Sequence, residues 1–359
     1  MIPYILLFSF ASFLYFIPSD RKSEIGYYLF LIVTILFSGL RDMIGGYDVY
    51  IYAEVYESAI KQMIEFSAFE IGFRWLYYFL RLFSENRFFM FFVCALIIMS
   101  THFYSVKKNS NLVYFSLFIL FCKFFLMSFV YLRQGIAMGI VWLSISYILK
   151  RDFKRFILIL LLAFLIHKSS IIFLPIYFIA TKKLNQLNMF VIAIAALIIS
   201  ITPLMSYFMT FISESVDNEK VKVYVSKSGG INLFYLLESL LLIYLILKFS
   251  VQFYLSNKGI MILNGLYLYV LINIIALTNA SFIRFGWYYF IFLVLALPQI
   301  FYFIKQLEIR KLFKAGIYLY YSLLFFRLLI VYDDGDFMPY KTIFQDFDRN
   351  SQWEFMDNR

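Results

Sequence analysis

Residues 286–304 read GWYYFIFLVLALPQIFYFI, 19 residues without a charge. About 20 apolar residues in helical form cover the roughly 30 Å of a bilayer's hydrocarbon, so this stretch alone is long enough to cross a membrane. Residues 2–17 (IPYILLFSFASFLYFI) and 189–200 (MFVIAIAALIIS) have the same character. The 359-residue chain is 63% hydrophobic and 15% charged, with a mean hydropathy of +0.81, far outside soluble usage. No globular core could bury that much apolar surface, so lipid is the expected solvent.

Apolar runs bounded by turns and charges predict an all-α, polytopic integral membrane protein of about 12 transmembrane helices. The spans fall near residues 3–18, 25–40, 88–104, 112–130, 133–149, 154–166, 169–181, 188–211, 232–249, 259–278, 282–304 and 313–331. The first run has no Lys or Arg before it and is followed by Arg21 and Lys22, the reverse of a cleavable signal peptide. With the N-terminus outside, the inner loops hold sixteen basic residues, the KRDFKR of residues 150–155 among them, against only Asp20, Glu24, Asp152 and Glu308. That is the bias that orients membrane proteins, and it accounts for the net charge of +10 without nucleic acid. One membrane domain over 1–359 is expected, with outer loops at 41–87 and 212–231 and an outer tail at 332–359.

Residues 71–83 (IGFRWLYYFLRLF) are too short to span, and Arg74, Tyr78, Arg81 and Glu85 share one helical face. An in-plane or re-entrant helix on the outer side is predicted there. Before it, a helix from Asp48 to about Ile64 is expected, with Val49, Ala53, Tyr56 and Ile60 as its apolar stripe.

Charge that could do chemistry gathers on the outer face. Arg133 opens the span LRQGIAMG and Arg284 opens another at FIRFG; a guanidinium beside free helix N–H groups suits a phosphate, although either could instead snorkel to headgroups. His167 and Lys168 sit in the turn HKSS at the same expected depth. Arg41 follows the second span, where a cation suits a helix C-terminus. Asp48 reads as an N-cap and Glu70 as the partner of Ser67 in a capping box, yet both are also candidate general bases. Tyr47, Tyr50, Tyr52 and Tyr56 cluster in the first outer loop, as interface belt or as a surface on which sugars stack. Lys123 and Glu238 lie within spans and are expected to face the interior, with pairing to one another open to them. His102, Cys94 and Cys122 carry no such company and read as core. With two histidines in the chain a His-rich zinc centre is excluded, and the Asp333, Asp334 and Asp336 of the tail read as a solvated turn.

Six fragments in order, RDMIGGYDVYIY (41–52), FEIGF (69–73), YLRQGIAMGI (131–140), HKSSIIFLP (167–175), FIRFG (282–286) and MPYKTIF (338–344), resemble the EpsG-like, Wzy-type polysaccharide polymerases. The resemblance implies a metal-independent glycosyltransferase without cofactor, in the bacterial inner membrane, with its active site facing the periplasm or exterior. Its expected partners are an undecaprenyl-diphosphate-linked glycan donor and acceptor, the bilayer and a chain-length regulator. Arg133, Arg284, Arg41 and Lys168 would then hold the diphosphate, Asp48, Glu70 or His167 would be the base, and Tyr47, Tyr52 and Gln134 would meet sugar. Nothing in the residues chooses among the three bases. A flippase for lipid-linked oligosaccharide and an outer-face acyltransferase are the competing readings; the absence of visible repeats and the one-sided charge count against transport.

Overall fold

In lipid the backbone has no hydrogen-bonding partner but itself, and runs of this length satisfy it as helices. The computed structural model describes residues 1–17, 24–202, 230–279, 282–331 and 337–344. Among them there is no strand, only an isolated antiparallel bridge between Arg41 and Thr342. The protein is an all-α, multi-pass membrane protein. Six helical segments are long and apolar enough to cross a bilayer: Arg87–Asn109, Leu132–Leu149, Leu233–Phe253, Asn257–Thr278, Ile283–Phe303 and Leu307–Ile330. Shorter apolar helices accompany them, Ile2–Phe16 and Gln186–Ile201 among others. The expected outer loop 212–231 and the acidic turn of the tail lie almost wholly outside the described residues.

In chain order the helices are α1 (Ile2–Phe16), α2 (Glu24–Gly39), α3 (Tyr47–Glu57), α4 (Ile60–Glu65), α5 (Ile71–Arg81), α6 (Arg87–Asn109), α7 (Val113–Phe124), α8 (Met127–Val130) and α9 (Leu132–Leu143). Then follow α10 (Ile145–Leu149), α11 (Phe153–Ile166), α12 (Pro175–Ile179), α13 (Gln186–Ile201), α14 (Leu233–Phe253), α15 (Asn257–Ile275), α16 (Ile283–Gly286), α17 (Phe290–Phe303) and α18 (Leu307–Ile330). Three of the predicted helices are broken at a serine whose hydroxyl donates to the carbonyl three residues back. Ser58 bonds Val55 between α3 and α4, Ser128 bonds Phe125 between α7 and α8, and Ser144 bonds Val141 between α9 and α10. Such local bonds compete with the helical ladder, which hydropathy does not register.

The chain packs as two compact units. The first comprises residues 1–140, 161–168 and 307–359. Its α2 lies on α6, and α7 is flanked by α1 and α18. Tyr4, Tyr15, Phe30, Phe73 and Phe325 are fully buried there, and the Tyr15 hydroxyl donates to the Lys314 carbonyl at 2.7 Å. Lys123 is buried on α7. The C-terminal segment returns to the end of α2: Asp42 N–H donates to Lys341 O (3.0 Å), Ile343 N–H to Leu40 O (3.1 Å) and the Tyr340 hydroxyl to Phe37 O (2.7 Å). The Tyr340 ring also stacks on Phe37 at 4.1 Å. The first and last motif fragments of the chain are thus tied together by backbone bonds.

The second unit comprises residues 141–160 and 169–306. Its centre is α15, packed by α12, α13, α14 and α17. Asn264 on α15 donates to Ile179 O (2.6 Å) and Lys182 O (2.9 Å), which satisfies carbonyls at the end of α12. Glu238 is buried on α14 of this unit.

Candidate active site

The first outer fragment is shaped by two glycines. Gly45 and Gly46 adopt φ of 127° and 75°, a region that side-chain-bearing residues avoid. A Cβ at Gly45 would also lie 3.1 Å from the Phe129 backbone. Arg41 sits under this loop, only 1% exposed, and donates to three carbonyls: Ser38, Ile44 (3.0 Å) and Phe129 (3.1 Å). The Phe91 and Phe129 rings flank its guanidinium at 5.0 and 4.7 Å. Each guanidinium nitrogen is engaged by backbone, so Arg41 fastens the end of α2 to the loop and to α8.

The loop delivers α3, which differs from expectation in its start. Its N-cap is Gly46, so Asp48 lies in the first turn, where a carboxylate suits the helix dipole, and its side chain makes no hydrogen bond to any described residue. Val49, Ala53 and Tyr56 form the buried stripe as predicted, whereas Ile60, on α4, is 47% exposed. Tyr47 is exposed, and Tyr52 is buried.

Glu70 also differs from its expected capping box. It is the N-cap of α5, preceding the helix rather than lying three residues inside it, and its side chain caps nothing. The carboxylate turns instead to two other motifs. Oε2 accepts from Arg133 Nη1 at 2.6 Å; Oε1 lies 2.8 Å from His167 Nδ1 and accepts from the Lys168 backbone N–H at 3.2 Å. One carboxylate therefore joins FEIGF, YLRQG and HKSS. Burial opposes its ionisation, but the His167 hydrogen bond and the Arg133 charge outweigh that and bring its pKa down to about 2.

Arg133, the second residue of α9, is held on several sides. Its Nη1 also donates to Ala68 O (3.0 Å), its Nε to the Tyr52 hydroxyl (3.4 Å), and its guanidinium lies 4.7 Å from the Phe69 ring centre. Nη2 makes no hydrogen bond to a described residue. The imidazole is oriented in the same way: Nδ1 faces the carboxylate, and Nε2 has no partner among the described residues. With Nδ1–H committed to Glu70, Nε2 is the basic nitrogen. The Lys168 side chain is exposed.

These groups meet because α5 comes very close to the end of α11. A Cβ at Gly72 would stand 2.7 Å from the Leu165 carbonyl oxygen and 2.8 Å from its carbon, so only glycine fits without moving backbone. Leu165 is two residues before His167. Gly72 therefore sets the separation across which Glu70 reaches the histidine.

Of the residues singled out in the sequence, Glu70, Arg133, His167 and Lys168 are brought together in the first unit. Gln134 is buried beside Arg133, and Tyr52 lies beneath the guanidinium. Arg284 is the second residue of α16, in the second unit, half-buried. Sequence reading missed the support of Arg133 by Ala68 and Phe69. The one signal was proximity in the chain, since both residues immediately precede Glu70.

No curated protein and no solved structure matches the chain. The EpsG family matches it over residues 24–342, from the start of α2 to the segment that returns to that helix. With 89% of its length matched, including five motif fragments whole and the sixth as far as Thr342, the chain belongs to the EpsG family.

Proposed function

We propose that this protein is a polysaccharide polymerase that works on the outer face of the bacterial inner membrane. It transfers a glycan from undecaprenyl diphosphate to the next lipid-linked repeat unit. Family membership supports the reaction class, and the observation that carries the mechanism is the Glu70 carboxylate shared by Arg133 and His167. An acceptor hydroxyl attacks the anomeric carbon, the bond from that carbon to the diphosphate oxygen breaks, and the hydroxyl proton passes to His167 Nε2. Arg133 Nη2 and Lys168 Nζ hold the diphosphate and stabilise the charge it gains on leaving. Glu70 is too weak a base for the proton. Its role is to fix the imidazole tautomer and offset the imidazolium that forms, as the carboxylate of a hydrolase triad does. Arg41, each of whose guanidinium nitrogens donates to a carbonyl, supports the site rather than touching diphosphate, and Tyr47 is the exposed ring that meets sugar.

The protein reconstituted with lipid-linked repeat unit is expected to yield a ladder of longer lipid-linked products. Movement of label across the vesicle without lengthening would instead make it a flippase. Gly72→Ala tests the close approach within the same assay. Overpacking against the Leu165 backbone should destabilise by about 1–3 kcal/mol. It should also slow lengthening about 10²-fold, the effect expected of displacing a catalytic group by about 1 Å. Wild-type rates in a folded Gly72→Ala protein would separate the α5–α11 contact from catalysis.

A further inference from the structure

Helix α5 has two apolar faces. Phe73, Tyr77 and Leu80 are buried in the first unit. On the other side Ile71, Trp75, Phe79 and Leu82 are 52%, 60%, 55% and 65% exposed. At 3.6 residues per turn these four lie within an arc of about 80° and run about 16 Å along the axis. Charges keep off this row: Arg74 donates to the Ile64 carbonyl, and Arg81 pairs with Glu85 at 2.9 Å. Four large apolar side chains in line do not face water in a stable monomer; they suit hydrocarbon.

The row begins one residue after Glu70, so its head adjoins the candidate site. There Arg133, whose Nη2 has no partner among the described residues, and Lys168, whose backbone N–H bonds Glu70 and whose side chain is exposed, adjoin an exposed apolar track. Cation first and hydrocarbon next is the complement of a diphosphate joined to a long isoprenoid chain. A zwitterionic phospholipid matches the track but not the doubly cationic head. Resting on the polymerase reading above, the geometry points to the exposed face of α5 as the seat of the polyprenyl chain of the lipid-linked diphosphate. The substrate then reaches Arg133 from the membrane with its chain still in an apolar environment, and α5 sorts substrates by the length of that chain.

The test compares two donors bearing the same glycan, one on undecaprenyl diphosphate and one on the short, water-soluble geranyl diphosphate, with the full-length protein in phosphatidylcholine nanodiscs. Trp75→Gln and Phe79→Gln are each expected to raise the ratio of long-chain KM to short-chain KM about tenfold, the effect of exposing one large apolar contact. Equal loss on both donors, or an unchanged ratio, overturns the proposal. A second measurement needs no polar variant: brominated undecaprenyl diphosphate should quench a fluorescence component that Trp75→Phe removes. Quenching of that component by brominated phosphatidylcholine with no further quenching by the diphosphate would mean that ordinary bilayer lipid occupies the face. A wild type that lengthens nothing sinks the polymerase reading, while the quenching still reports on the track. A wild type that lengthens chains with an unmoved KM ratio sinks the track alone.

Discussion

Arg133→Ala is expected to lower kcat for chain lengthening by about 10²–10³-fold, with the protein still inserted and folded. Two effects combine at this position. The guanidinium is aimed by Glu70, Ala68 and Tyr52, so that Nη2 is presented to ligand without rearrangement when the leaving diphosphate gathers charge. Its removal also leaves Glu70 half-buried with only the His167 imidazole and the Lys168 backbone N–H as partners, and an uncompensated carboxylate is costly to keep ionised. Arg133→Lys should recover little. An ammonium is a point charge without the planar fork, and it cannot bond Glu70 and Ala68 from one nitrogen while presenting another to a ligand. Quantifying lipid-linked products by gel at saturating donor checks both variants. Near-normal chain length from Arg133→Ala would remove this residue from the reaction.

His167→Gln is expected to lower kcat by about 10²–10⁴-fold, the range for losing a general base, with a much smaller change in KM. Asp48→Asn, which alters the unengaged carboxylate on α3, should cost far less; a larger loss there would make Asp48 the base. Glu70→Gln keeps the shape of the bridge and removes its charge, so it should slow the reaction through both partners at once. The pH dependence separates the roles. Glu70 has its pKa depressed to about 2 and stays ionised at neutral pH, so protonation of Glu70 is not what limits kcat there. For stability the sign runs the same way: a depressed carboxylate contributes fully above its unfolded pKa of about 4.3 and loses that contribution as the pH falls toward about 2. Glu70→Gln should therefore be less stable than wild type at neutral pH and should approach it in acid, as read from thermal midpoints at several pH values.

The helices were legible in the sequence because apolar runs near 20 residues have one stable form in lipid, and basic loops mark their ends. The breaks at Ser58, Ser128 and Ser144 were not, since each depends on whether a hydroxyl turns back to its own helix. The site was half legible. Each of three motifs displayed one unusual charged residue, which was enough to name Glu70, Arg133 and His167. What the chain order could not convey was that Glu70 takes both of the others, over separations of 63 and 97 residues. The local pattern SAFE argued for a capping box, and tertiary contacts overrode it. Gly72 was visible within FEIGF, but a glycine at a helix start is ordinary until its neighbour on α11 is known. Arg41 illustrates the opposite case: the family resemblance implied a diphosphate ligand, and its burial against three carbonyls gives it a sufficient structural reason to be there.

The central claim is that the Glu70-braced pair of Arg133 and His167 receives a lipid-borne diphosphate, and a cryo-EM map of the protein with bound lipid-linked donor tests it most directly. The account places oxygens of the two phosphates within hydrogen-bonding reach of Arg133 Nη2 and Lys168 Nζ, with His167 Nε2 facing the side from which an acceptor hydroxyl attacks the anomeric carbon. A diphosphate lodged away from Arg133, with the Glu70 bridge unaltered and no sugar near His167, would contradict it.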